Sequence, residues 1–179
     1  MKIVRYLTFF IAAGLFAAPP NQDYELRLHG NAGVSLPLDP KLDVGASYTF
    51  MLWVKPDRYA TNNLDQVIFG KASDTNNPPV YAFRLALGPT GTLIFGQSNG
   101  SSGPSVAGAP TLPLNQWSHV AVTSTGGSIR LYVNGTSRGS ASSPGAIPVN
   151  GQRITIGAEV KPTGFGAANF AGIVPQVSV

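Results

Sequence analysis

The stretch from Trp117 to Gly139 constrains the fold more than any other part of the chain. Apolar residues alternate with other residues in two runs there, with the two-residue period of a pleated strand. The Ser-Thr-Gly-Gly segment 124–127 separates the two runs, and Asn134-Gly135 follows the second as a strong signal for a type I′ hairpin turn. The stretch therefore predicts a three-stranded β-meander. Its third strand, from Thr136, is short and polar, which favours the edge of a sheet.

The rest of the chain repeats this pattern of short apolar runs between turn residues, with no helical period of useful length outside the N-terminal segment. The 21 glycines, 15 prolines and 11% charged residues are typical of a turn-rich all-β domain. Ten to twelve strands at short spacing predict an all-β fold with two antiparallel sheets packed as a sandwich. One run, Ser47 to Val54, is apolar on both parities, so we expect a central strand or one covered on both faces. Further strands are predicted at residues 23–28, 34–38, 66–71, 80–87, 92–97, 153–158 and 169–179.

Residues 1–20 have the pattern of a secretory signal peptide. Lys2 and Arg5 precede an apolar run of about a dozen residues, which is short for a membrane-spanning helix of roughly 20 residues. We therefore expect cleavage of this segment and a protein that is secreted, extracellular or held at a cell surface. An uncleaved anchor is the alternative, and it is the only membrane contact that we expect.

The net charge of +4 does not point to nucleic acid. Without Lys2 and Arg5, 12 − 2 = 10 basic residues stand against 8 acidic ones, which leaves +2. These residues are scattered and do not interleave with aromatic residues, so no nucleic-acid partner is expected. The absence of cysteine excludes disulfides, thiolate metal sites and cysteine nucleophiles, and two histidines alone do not make a zinc site.

Five segments carry a resemblance to a known family. W-x-H-V-A-V-T at 117–123 and I-x-L-Y-V-N-G at 129–135 resemble the core of the laminin-G-like, concanavalin A-like lectin/glucanase jelly-roll domains. The strand at 48–56 and the segments at 154–158 and 170–174 are similar to other strands of that family, in the right order. The resemblance implies a concanavalin A-like jelly roll over residues 23–179. Pro175-Gln176 stand where the family has an acidic pair, and the sequence stops inside a strand, so we expect a truncated domain of a larger multidomain protein.

Catalysis is not expected, although the family includes glucanases. Glycoside hydrolysis needs two carboxylates that face one sugar bond, and in a sheet these would lie two or four residues apart on one strand. Only Asp23 and Glu25 have that spacing, and we interpret them as the solvated start of a strand. No G-x-S-x-G elbow is present. His119 lies in the predicted central strand, where a structural role in or near the core is expected.

We therefore expect a secreted, non-catalytic binding module that recognises a glycan or an extracellular protein through long polar loops at 59–65, 72–79 and 98–110. A structural or adhesive unit of a larger cell-surface or viral assembly is the alternative, and a relative of the glycoside hydrolases is less favoured. Calcium is a candidate cofactor, with Asp65 and Asp74 as its possible ligands. The alternative interpretation is that these residues have the ordinary role of aspartate in turns. Aromatic and amide side chains supply the candidate ligand-binding residues, which are Tyr59, Asn62, Asn63, Asn76, Asn77, Asn99 and Tyr132.

Overall fold

The computed structural model describes residues 25–72, 81–99, 105–108, 111–158, 160–161, 164–165, 169–174 and 177–178. These residues form β-strands and turns, together with one short 3-10 helix at Pro40–Leu42. The predicted signal peptide, residues 1–20, lies outside the described residues. The strands are β1 Arg27–His29, β2 Val34–Ser35, β3 Tyr48–Pro56, β4 Gln66–Ala72, β5 Tyr81–Leu87, β6 Leu93–Gln97, β7 Ser105–Ala107, β8 Ser118–Thr125, β9 Ser128–Val133, β10 Thr136–Ser142, β11 Ile154–Ile156, β12 Val160–Lys161, β13 Gly164–Phe165, β14 Ala171–Ile173 and β15 Val177–Ser178.

Two antiparallel sheets build the domain, as predicted. The seven-stranded sheet has the order β1-β14-β3-β8-β9-β10, with β15 also paired to β3. The six-stranded sheet has the order β2-β11-β4-β5-β6-β7, and β12 and β13 form a separate hairpin. The described part contains more strands than the predicted ten to twelve because several are two or three residues long, too short to show a period. The fold is a concanavalin A-like β-sandwich.

The meander that the sequence predicts is present as β8, β9 and β10. Asn134 and Gly135 both have positive φ, 49° and 74°, as a type I′ turn requires. The third strand is the edge of its sheet, as expected from its polarity. It is longer than expected, because it stays paired with β9 as far as Ser142 through a bulge between Ser137 and Gly139.

Aromatic rings fill the centre of the core. Phe50 from the seven-stranded sheet packs against Phe69 and Phe83 from the six-stranded sheet, with ring centroids 5.3 and 4.8 Å apart. Phe95 adds a fourth ring, 6.4 Å from Phe50. All four side chains are buried, so the two sheets are joined mainly by apolar contact.

Strand β3 was expected to be central or covered on both faces, and only the first expectation holds. It lies between β8 on one side and β14 and β15 on the other. Its burial alternates, with Phe50, Leu52 and Val54 inside and Met51 38% exposed. Its second apolar parity therefore lies on the outer surface of the sheet rather than under a covering layer.

Antiparallel pairing sends the connections to two opposite rims. The first rim, where β3 ends and β4 begins, is held by the Tyr59 hydroxyl, which donates to the Leu112 carbonyl at 2.6 Å. The second rim, where β4 ends and β8 ends, is held by Gln97, whose Nε2 donates to the Gly145 carbonyl at 2.7 Å. The segments of the first rim are 57–65, 88–92, 111–117 and 134–135, and those of the second are 36–47, 98–99, 126–127 and 143–153.

Candidate functional site

Tyr59 lies at the first rim and supports the core. Its hydroxyl is bonded to Leu112, and its ring packs against the hydrophobic core. The ring also fills the space beside Gly91, where a Cβ atom would lie 2.5 Å from it. The side chain predicted to bind a ligand is therefore partly engaged in packing and in one hydrogen bond.

The other predicted residues of this rim are engaged in local structure. The Asn62 Oδ1 accepts the backbone N–H of Leu64 at 3.3 Å, and Asn63 has a positive φ of 56°. Both are ordinary uses of asparagine in turns. The Asp65 Oδ2 accepts from Arg84 Nη2 at 2.9 Å, which neutralises the carboxylate proposed for calcium.

The calcium prediction stays untested. Asp74, Asn76 and Asn77 lie outside the described residues. The segment that carries them leaves the far end of β4, a seven-residue strand that begins just after Asp65. In the described ranges, no three acidic or histidine side chains are grouped so that they could hold a metal ion.

Asn99 lies at the second rim, away from Tyr59. Its exposed Nδ2 donates to the Pro144 carbonyl at 3.0 Å and so links two connections of that rim. The loops predicted to bind a ligand thus do not share one end of the sandwich, since 59–65 belongs to the first rim and residues 98–99 to the second.

Tyr132 is a predicted residue that the structure places on the face of a sheet rather than at a rim. Its neighbours Leu131 and Val133 are buried, whereas Tyr132 is half-buried on the opposite face, as predicted. In the strand register it lies opposite Ala121 of β8, which lies opposite Met51 of β3. Tyr132 therefore belongs to the outer surface of the seven-stranded sheet.

Two further rings, those of Trp53 and His119, lie on this surface, which we call the open face and define by Met51, Trp53, His119, Ala121 and Tyr132. Trp53 lies directly opposite His119 across β3 and β8, and their rings are 5.3 Å apart at an angle of 62°. Polar and charged side chains of the same parity border the group, namely Thr49, Thr123, Arg130 and Ser137. The open face combines half-exposed ring faces with nearby hydrogen-bonding groups.

The sequence pattern did not identify Met51, Trp53 or His119 as ligand-binding residues. Trp53 and Met51 were assigned only to a strand, and His119 was expected in or near the core. The structure places His119 half-buried on the outer surface, because Val120 and Val122 point into the sandwich. The shared parity of His119, Ala121 and Trp117 was a usable signal, but the pairing of His119 with Trp53 was not visible in either strand alone.

Burial lowers the pKa of His119 below its usual 6.5. The imidazole is therefore neutral at neutral pH, with one nitrogen that donates and one that accepts a hydrogen bond. Its backbone is fixed by Asn134, whose Oδ1 accepts the His119 N–H at 2.8 Å while the Asn134 N–H donates to the His119 carbonyl at 2.8 Å. The ring is thus held in place as a neutral group that can bond a hydroxyl.

This lowered pKa predicts a pH dependence of stability. The unfolded chain takes up a proton on His119 at a higher pH than the folded chain, so stability decreases as the pH falls below about 6.5. We expect urea unfolding between neutral pH and about pH 5 to show a shallower loss in His119→Gln than in the unaltered chain. His29→Gln, at an exposed position in β1, is the matched control and should retain the loss. Equal slopes in the His119→Gln variant and the unaltered chain would contradict this role.

Comparison with known families and structures agrees with the fold. Residues 28–179 match the family described as the concanavalin A-like lectin/glucanases superfamily, and the chain belongs to it. No curated protein matches the chain. In the described part of the chain, no helix is long and apolar enough to cross a bilayer.

Three solved structures illustrate this similarity of fold. The CBM40 domain of the Ruminococcus gnavus IT-sialidase, bound to α2,3-sialyllactose, aligns with a TM-score of 0.70 and 13% identity over 87% of this chain and 88% of its own. Domain 4 of an extracellular GH43 arabinanase from Geobacillus stearothermophilus, in complex with arabinotriose, aligns with a TM-score of 0.57 and 23% identity over 84% and 67%. Domains LG4-5 of the mouse laminin α1 chain align with a TM-score of 0.68 and 16% identity over 97% of this chain, which spans 46% of theirs.

Proposed function

We propose that this protein is a non-catalytic carbohydrate-binding module and that a saccharide binds at the open face. The observation that carries the proposal is the group of Trp53, His119 and Tyr132, whose rings lie half-exposed on one sheet surface. A sugar ring has apolar C–H faces and hydroxyls at its edge. It therefore matches aromatic faces bordered by groups that donate and accept hydrogen bonds.

Two aspects of the surroundings support a sugar over an apolar protein surface. Arg130 and Thr123 lie opposite each other in the next row of the sheet, so polar contacts are available at one side of the rings. On the other side, the Lys55 ammonium lies 5.8 Å from the centre of the Trp117 ring. The apolar area is thus small and bordered by charge, whereas stable protein interfaces have a larger apolar centre.

The absence of catalysis is part of the proposal. As defined above, the open face has no carboxylate among its described side chains, and hydrolysis of a glycosidic bond would require two. Glu25 is exposed beside β1, and Asp23 lies outside the described residues. Two of the similar structures are described with bound oligosaccharides, which agrees with a sugar-binding role for the fold.

Export and membership of a larger protein complete the proposal. The N-terminal pattern favours a secreted or cell-surface protein. The laminin domains and the sialidase module are parts of larger proteins, as we propose for this chain. A purely structural or adhesive unit, or a module for an extracellular protein, is the competing function.

A glycan array followed by NMR mapping tests the proposal. The chain is screened with calcium and again with a chelator, and a bound glycan is then titrated into ¹⁵N-labelled protein. We expect binding to at least one glycan class, with shifts centred on the amides of Trp53, His119 and Tyr132. No binding in either condition would refute the carbohydrate role, and shifts confined to the loop at 57–65 would move the site to the first rim. Loss of binding with the chelator alone would support the calcium prediction.

A further inference from the structure

A cleft at the second rim has the properties of a separate binding site. It has a volume of about 180 Å³ and lies between the segment 37–43 and the adjacent ends of β4 and β11. It lies at the ends of β4 and β11 in the six-stranded sheet, whereas the open face belongs to the seven-stranded sheet. We call it the edge cleft and define it by Leu38, Asp39, Pro40, Asp43, Lys71 and Arg153.

Its most unusual residue is Lys71, near the end of β4. Lys71 lies beside Ile154 and Phe83 in the sheet, and its side chain is only 5% exposed. Its Nζ donates to Asp43 Oδ1 at 2.6 Å, and Asp43 is 21% exposed. Burying such a pair costs solvation, and removing either partner would leave an uncompensated charge.

Within the part of the chain that the structure describes, the hydrogen bonds of this pair are not all satisfied. An ammonium group has three N–H donors, and in the described part of the chain Asp43 is the only recorded partner of Lys71. The second carboxylate oxygen of Asp43 likewise accepts no hydrogen bond from the described residues. Among the described residues, two N–H donors of Lys71 and one oxygen of Asp43 are thus without a partner at the wall of the cleft.

The other residues that line the cleft indicate which class of ligand it can bind. Arg153 and Asp39 add one positive and one negative charge, so the four charged side chains at the cleft sum to zero. Leu38, which is 56% exposed, and Pro40 supply an apolar wall. A net-charged ligand would gain little from this balance, whereas a neutral ring with hydroxyls can use both the paired charges and the apolar wall.

The size of the cleft limits the ligand further. At about 180 Å³ it is smaller than the roughly 300–1,000 Å³ of pockets that enclose drug-sized ligands. One ring fits this volume better than an extended oligosaccharide does. We propose that the edge cleft is a second binding site, which takes a single neutral saccharide ring whose neighbouring hydroxyls bond Lys71 and Asp43. The ligand class rests on the proposed function, but the residues are independent of the open face.

NMR titration of the ¹⁵N-labelled chain with single sugars separates the two sites. The probes are glucose, galactose, arabinose and N-acetylglucosamine, with glucuronate as a charged comparison, all at millimolar concentrations. We expect saturable shifts for at least one neutral sugar at the amides of Asp43, Lys71 and Arg153, with a Kd in the millimolar range. Tighter binding of glucuronate than of glucose would overturn the inference that the ligand is neutral.

Variants decide whether the charged pair binds the ligand or only fastens the segment 37–43 to β4. Lys71→Met/Asp43→Leu replaces both partners by apolar residues, so that neither charge is left uncompensated. We expect it to raise the Kd at the edge cleft at least tenfold, and Arg153→Gln, at an exposed position, to raise it severalfold. Trp53→Ala is the control and should leave this Kd unchanged.

The two proposals fail separately. Chemical-shift changes at β3, β8 and β9 without changes at the edge cleft would overturn the second site and support the open face. Shifts at the edge cleft alone would support the second site and overturn binding at the open face. The absence of a saturable shift at either place would overturn both proposals. An unchanged Kd in the Lys71→Met/Asp43→Leu variant would assign the pair a structural role.

Discussion

Trp53→Ala removes saccharide binding at the open face and leaves the sandwich folded. Trp53 contributes the largest ring of the group, and it supports His119 through the ring contact at 5.3 Å. Truncation of a central aromatic residue in a binding site costs about 2 kcal/mol or more, which is roughly a thirtyfold rise in Kd. Isothermal titration with the glycan identified on the array measures the change.

The matched control for this prediction is Tyr81→Ala. Tyr81 is also a half-buried aromatic residue on an outer surface, but it belongs to the six-stranded sheet, where Arg84 lies 4.8 Å from its ring. Its removal should leave the Kd within about twofold, even if the melting temperature falls. If Tyr81→Ala weakens binding as much as Trp53→Ala does, the saccharide does not bind selectively at the open face.

Phe50→Ala destabilises the protein by about 3–5 kcal/mol, the usual cost of removing a buried phenylalanine. Phe50 is 1% exposed and contacts rings from the opposite sheet, so the substitution leaves a cavity where the two sheets meet. This loss is a large share of the 5–15 kcal/mol by which a typical domain is stable. Denaturant unfolding at low temperature, where the variant remains folded, measures it.

The neighbouring residue provides the control. Met51 follows Phe50 in β3 but lies on the open face, 38% exposed. Met51→Ala should therefore cost no more than about 1 kcal/mol. Similar losses for the two variants would mean that β3 is covered on both faces, and the open face would then not exist as described.

Local pattern was sufficient to predict the fold class. The alternation in β8 and β9 fixed which residues point inward, since successive side chains in a strand point to opposite faces. Asn134-Gly135 predicted the hairpin turn, and the polar composition of β10 predicted that this strand lies at the edge of its sheet. Tyr132 was correctly placed opposite its buried neighbours for the same reason.

The candidate site could be predicted only in part, because its members come from strands distant in sequence. Trp53 meets His119, and Asp43 meets Lys71, only after the strands have paired and the sheets have packed. Periodicity gives the face of a side chain, but it does not give the register or the partner of its strand. The same limit applies to Asp65, whose ion pair with Arg84 is not visible in the sequence of either segment alone.

The sequence by itself thus determined an all-β chain, the direction of its side chains and the positions of its turns. These properties depend on neighbours along the chain. Tertiary structure decided that the predicted binding loops divide between two rims, that an aromatic group lies on the open face and that a charged cleft lies at the other sheet. Those features depend on which strands pair and which rim each connection reaches, and antiparallel pairing over long separations sets both.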